Sequence, residues 1–150
     1  MTTASLVLAF PPASVAQSLD YLAAKLSYYA DSSDVAEDLR NGISGIVVID
    51  TRVEALYAAG HIPGAVSFPH RLMNEQSTAA LDRDKVYVTY CDGIGCNGST
   101  KGAYQLAKLG FRVKELIGGL DFWQRDGHPL TIGVETGSMQ GQSKVAECGC

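Results

Sequence analysis

The sequence predicts an α/β domain built on a small parallel sheet with helices on both faces and an extra N-terminal helix. Three observations carry this. Ile46-Val47-Val48-Ile49 and Val86-Tyr87-Val88-Thr89-Tyr90 are short, nearly continuous β-branched or aromatic runs, the composition of parallel strands buried on both faces. Helical segments alternate with such runs along the chain. The 150 residues are enough for one core without staples.

In chain order, Leu6-Val7-Leu8-Ala9-Phe10 is apolar but lacks a positive flank and is cut off by Pro11-Pro12, too short for a signal peptide or membrane span. The expected setting is cytoplasmic. There the four cysteines point to catalysis, redox chemistry or metal binding rather than a disulfide framework. Val15, Leu19, Leu22, Leu26 and Tyr29 recur at helical steps and predict a helix over 13–30 that covers the sheet. Residues 1–33 read as a helical extension packed on the domain. A second helix is expected from Asp34 to Arg40, capped by Ser33 or Asp34 and stopped by Asn41-Gly42.

The strand at 46–49 runs into Asp50-Thr51-Arg52, at the strand end where open α/β sheets gather function. Asp50 reads as half of a local ion pair that fixes the following loop, and Arg52 stays open as an anion contact. A helix over about 54–59 leads to the fixed turn Gly60-His61-Ile62-Pro63-Gly64-Ala65, then a short strand, Val66-Ser67-Phe68-Pro69. His61 is a candidate general base, but a histidine beside such a turn more often satisfies backbone groups. His70 is equally ambiguous.

The stretch from Val86 to Lys101 carries the chemistry. A buried-type strand ends at Cys91. Asp92-Gly93-Ile94-Gly95-Cys96-Asn97-Gly98 follows as a glycine-rich loop, and Ser99 or Thr100 is expected to cap a helix from Lys101 to Leu109. Loop amides and a helix N-terminus around a thiol favour the thiolate, the reactive form. Phe111 to Ile117 predicts another strand, Gly118-Gly119 a turn, and Leu120 to Arg125 a short helix with Trp123 as a core plug. Residues 131–150 lose apolar periodicity and read as a flexible tail ending in Cys148-Gly149-Cys150.

The net charge of −4, from 12 basic and 16 acidic residues without a basic cluster, argues against a nucleic-acid partner. The loop has no arginine at Asn97, where a cysteine phosphatase needs a guanidinium to clamp phosphate. A zinc site from Cys91, Cys96, Cys148 and Cys150 has unusual spacing and would need the tail to fold back. No metal is expected. A reversible Cys91–Cys96 disulfide is compatible with the four intervening residues.

Asp50-Thr51-Arg52, Gly60-His61-Ile62-Pro63-Gly64-Ala65, the strand–Cys91–loop–helix unit, and Gly118-Gly119 with Trp123 together resemble a single-domain rhodanese over roughly residues 34–130. That resemblance implies a rhodanese-like sheet and a sulfurtransferase. Such an enzyme moves sulfane sulfur from thiosulfate or a persulfide, through a cysteine persulfide, to cyanide, a thiol or a protein sulfur acceptor. It requires no cofactor. Cys91 holds the position of the family nucleophile directly after the central strand. Backbone groups of Asp92, Gly93, Ile94, Gly95, Asn97, Gly98, Ser99 and Thr100 would cradle the outer sulfur, with Lys101 and Arg52 drawing in an anionic donor. The loop is longer than in common members, seven residues separating Cys91 from Ser99, and Cys96 lies nearer the helix end, so Cys96 remains a second candidate. The same resemblance leaves open a non-catalytic binding or regulatory module.

Overall fold

The structure is a computed structural model, and it describes residues 2–144. Among the described residues ten helices and strands follow one another: α1 (Val15–Tyr28), β1 (Tyr29–Ala30), α2 (Ser32–Arg40), β2 (Ile46–Asp50), α3 (Glu54–Ala59), β3 (Val66–Ser67), β4 (Val86–Tyr90), α4 (Gly98–Lys108), β5 (Arg112–Leu116) and α5 (Gly119–Arg125). Single 3₁₀ turns occupy Val7–Ala9 and His70–Leu72. The five strands form one parallel sheet in the order β1-β5-β4-β2-β3, with β4 at its centre. Among the described residues no helix is long and apolar enough to cross a membrane.

Strand side chains alternate between two cores, as the two-residue period of a strand requires. Val48, Val88 and Tyr90 point to the side built by α2 and α5, where Val35, Ala36, Leu120 and Trp123 meet them. Ile49 and Tyr87 point to the other side, against Leu106 of α4, Phe111 and Met73. Trp123 is fully buried and its Nε1 donates to the Pro129 carbonyl at 2.8 Å, so the core plug also has its polar atom satisfied.

Both sheet faces are thus occupied before α1 is placed. This helix has a capping box between Ser14 and Gln17, but it touches the domain mainly through β1 and β5 at the sheet edge. Its predicted inward face lies open: Leu19 is 67% exposed and Leu26 75%. The expected cover over the sheet is not formed, because α2, α4 and α5 already supply it. The helix also ends earlier than its periodicity suggests. Tyr29 turns extended at φ −121° and ψ 155° and pairs with Glu115, exchanging the last two expected helical residues for the edge ladder.

Two helix starts move upstream. Asp31, not Ser33 or Asp34, caps α2 by accepting the Asp34 N–H at 2.8 Å. The fourth helix begins at Gly98, so Ser99 and Thr100 lie inside its first turn, and Asn97 occupies the cap without a side-chain bond.

Residues after 130 depart from the flexible tail expected of them. Thr131 and His61 exchange backbone hydrogen bonds at 3.0 and 2.8 Å, and Gly64 N–H donates to the Thr136 carbonyl at 2.7 Å. Met139 is 2% exposed inside the Trp123 core. Composition hid this because the segment is held by backbone bonds and one apolar plug, which leave no periodicity. Met139→Ala should lower unfolding stability by about 2–5 kcal/mol, as for other buried methionine truncations, while Met139→Leu keeps most of it; urea unfolding measures both. Cys148 and Cys150 lie outside the described residues.

Candidate active site

The register of the central strands assembles the site. Asp50 of β2 pairs with Tyr90 of β4, so Thr51 and Arg52 leave the sheet beside Cys91 and Asp92. Thr51 ties the two strand ends together, its N–H and hydroxyl both reaching the Tyr90 carbonyl, at 3.0 and 2.7 Å. On the other side, the N–H groups of Leu120 and Asp121 donate to the carbonyls of Cys91 and Asp92 at 2.9 and 2.7 Å. That approach requires Gly119, at φ +58°, because a Cβ there would sit 2.4 Å from the Cys91 carbonyl oxygen.

Between these anchors the loop turns tightly. Cys96 N–H donates to the Gly93 carbonyl at 3.0 Å, and Gly98 N–H points at Cys96 Sγ at 3.5 Å. Among the described residues the N–H groups of Gly93, Ile94 and Gly95 have no protein acceptor. Gly98 is tightly packed, since a Cβ there would stand 3.0 Å from Cys91 Sγ and 3.4 Å from Cys96 Sγ and would press on both. The two sulfurs are bonded to each other, across Cα atoms 6.1 Å apart. Cys91 is 4% exposed, whereas Cys96 is half-buried and forms part of the wall of two surface depressions.

A buried charge network holds the loop base. Asp50 is fully buried and accepts from Arg52 Nε and Nη2, from Arg52 N–H, and from the Tyr90 hydroxyl at 2.8 Å. Arg52 also donates to the Gly60 carbonyl at 2.7 Å and to Asp92 Oδ1 at 3.0 Å. Burial disfavours the guanidinium charge, but the hydrogen bonds and charge of Asp50 outweigh it and hold Arg52 protonated well above its ordinary range. Burial, then the Asp50 charge, pushes the Tyr90 hydroxyl up as well, keeping it a neutral donor.

Residues 34–126 match the family model described as a Rhodanese-like domain. The chain belongs to the rhodanese-like family. A crystal structure of the BH2092 protein from Bacillus halodurans is 40% identical with a TM-score of 0.78, over 81% of this chain and 88% of that one. A thiosulfate sulfurtransferase from Pseudomonas aeruginosa is 25% identical at a TM-score of 0.56, over 73% of this chain but 20% of its own. An HTH-type transcriptional regulator of Mycobacterium tuberculosis, Rv0324, is 32% identical over 108 residues. The rhodanese-like chain spans about half the length of that regulator, 47%.

Within the rhodanese-like site, the predicted residues separate into groups. Asp92, Gly93, Ile94, Gly95 and Cys96 come together around one depression, and Gly93, Ile94, Cys96, Ser99 and Thr100 around the other. Asn97 is exposed at the helix start and Gly98 is packed on the sulfurs. Arg52 is corrected: buried and engaged by Asp50, Gly60 and Asp92, it fixes the loop instead of facing an incoming anion. Lys101 borders neither depression. It lies near His70, where burial and then the Lys101 charge lower the histidine pKa. His61 is fully buried, stacked 3.6 Å from Tyr57, with its ring nitrogens 2.9 and 3.2 Å from the carbonyls of Tyr57 and Thr136. Its position is structural. Sequence reasoning missed Tyr21, Lys25 and Tyr29, which also border the depression at Cys96. The four-residue spacing of Tyr21 and Lys25 was the available signal, masked by the leucines of the same helix, while Tyr29 in β1 carried none.

Proposed function

We propose that this domain is a sulfurtransferase in which Cys91 carries the sulfane sulfur. The placement of Cys91 supports this most directly: it stands at the end of the central strand, under a loop whose Gly93, Ile94 and Gly95 N–H groups have no protein acceptor. In the reaction, the Cys91 thiolate attacks the outer sulfur of thiosulfate, the donor S–S bond breaks, and sulfite leaves with the bonding pair. Cyanide or a thiolate then attacks the outer sulfur of the Cys91 persulfide. The persulfide bond breaks and the Cys91 thiolate returns. Loop amides oriented in advance stabilise the negative charge on the outer sulfur.

In the bonded state Cys91 Sγ is occupied, so two electrons from a thiol reductant must open the Cys91–Cys96 bond first. Protein reduced with a dithiol and then desalted should form thiocyanate from thiosulfate and cyanide, while oxidised protein should not. Reduced wild type that transfers no sulfur from thiosulfate or from a thiol persulfide overturns the enzyme reading.

That same bond favours a second reading, a module that signals redox or sulfur status, and the likeness to a protein named as a transcriptional regulator supports it. Intact-mass measurement across thiol/disulfide buffers, showing a gain of two hydrogens at physiological poise with no turnover, would select this reading.

A further inference from the structure

The N-terminal extension adds one wall to the depression at Cys96, whose other walls lie within the family match that begins at residue 34. Tyr21 and Lys25 lie one turn apart on the same side of α1, and Tyr29 follows as the first residue of β1. Tyr29 is the register partner of Glu115 on β5, and the Glu115 carboxylate accepts the Thr100 hydroxyl at 3.2 Å from the first turn of α4. These five residues and Cys96 line part of an open depression of about 380 Å³.

Its chemistry is specific. Among the described residues one cation, Lys25, and one anion, Glu115, border the depression, and Lys25 makes no ion pair. The neighbouring Lys114 is different, its ammonium being bonded to the Leu26 carbonyl at 3.0 Å. Two tyrosines add apolar wall with polar edges. The sulfur reached from this space is Cys96, while Cys91 lies behind it at 4% exposure.

We propose that this depression binds a small zwitterionic thiol of the amino-acid class, its carboxylate on Lys25 and its ammonium on Glu115, and aims its sulfur at Cys96. As the activator of a sulfur-transferring site, it rests on the reading above. The ligand thiolate attacks Cys96 Sγ, the Cys91–Cys96 bond breaks, and Cys91 leaves as the thiolate. A mixed disulfide remains on Cys96. A second thiolate attacks the ligand sulfur of that bond, freeing the Cys96 thiolate and yielding the oxidised ligand dimer. Two thiols are oxidised and one protein disulfide is reduced.

The experiment follows bond opening in the oxidised full chain by acid quench, alkylation and peptide mapping, with cysteine, cysteamine, 3-mercaptopropionate and thioglycerol as probes. Rates are normalised to thiolate content. Opening by cysteine should be saturable, inhibited by S-methylcysteine, and trapped as a mixed disulfide on Cys96. Cysteine should outpace each probe lacking one charge by about tenfold, the worth of one charge-assisted hydrogen bond. Lys25→Met should remove the advantage over cysteamine, and Glu115→Gln the advantage over 3-mercaptopropionate. Lys25 is exposed, so its replacement leaves the fold intact. Equal, unsaturable rates for all four thiols, or a mixed disulfide on Cys91, would overturn the proposal. Because the readout needs no sulfur transfer, saturable opening without thiocyanate formation would remove the sulfurtransferase reading and leave this site standing.

Discussion

Cys91→Ser should reduce thiocyanate formation at least about a thousandfold, to the level without protein, because a serine hydroxyl cannot form the sulfur-bearing intermediate. Cys96→Ser should keep turnover within a few-fold of reduced wild type and should no longer require a dithiol beforehand. The asymmetry follows from the anchors. The carbonyls on either side of the loop start are fixed by Leu120 and Asp121, so Cys91 has a defined position whether or not Cys96 is bonded to it. Both variants lose the Cys91–Cys96 bond, so a difference between them does not report loss of that bond. If Cys96→Ser were the inactive variant, the carrier would be the sulfur nearer α4, whose first turn begins at Gly98.

The second large effect concerns stability. Asp50→Ala should cost about 3–5 kcal/mol of unfolding free energy, since it leaves the buried Arg52 charge with only the more exposed Asp92 carboxylate and the Tyr90 hydroxyl without its acceptor. Asp50→Asn preserves the shape and should lose less, while still failing to neutralise Arg52. Urea unfolding of both separates charge from packing. An Asp50→Ala loss below about 1 kcal/mol would mean that solvent reaches the guanidinium freely. Where the Asp50 variants still fold, loop order should fall too, because Arg52 is the residue that ties Asp92 to the strand end.

Much of this was legible in the residues. The β-branched and aromatic runs located β2 and β4, and the helix expected over about 54–59 spans Glu54–Ala59 and stops at Gly60. Asp50 as a local ion-pair partner agrees with the structure. Other features carry no sequence signal of their own. A two-residue strand such as β1 is too short for periodicity, and its pairing with Glu115 is a long-range fact. The leucine spacing of α1 identifies an amphipathic helix but not what covers it. Arg52 has the same composition whether it meets a substrate anion or a buried carboxylate; only the register of β2 on β4 separates the two. Four residues between cysteines permit a bond without requiring one, so the Cys91–Cys96 pairing waited for the loop geometry.

The anchoring of residues beyond 130 bears on how this unit travels between proteins. The family match ends at residue 126, yet Met139 fills the Trp123 core and Thr136 lies against His61. A fusion or excised fragment trimmed to the matched stretch would carry a hole beside its only tryptophan and an imidazole stripped of a partner. Portability therefore requires the following dozen or so residues, which behave as part of the cargo and not as linker.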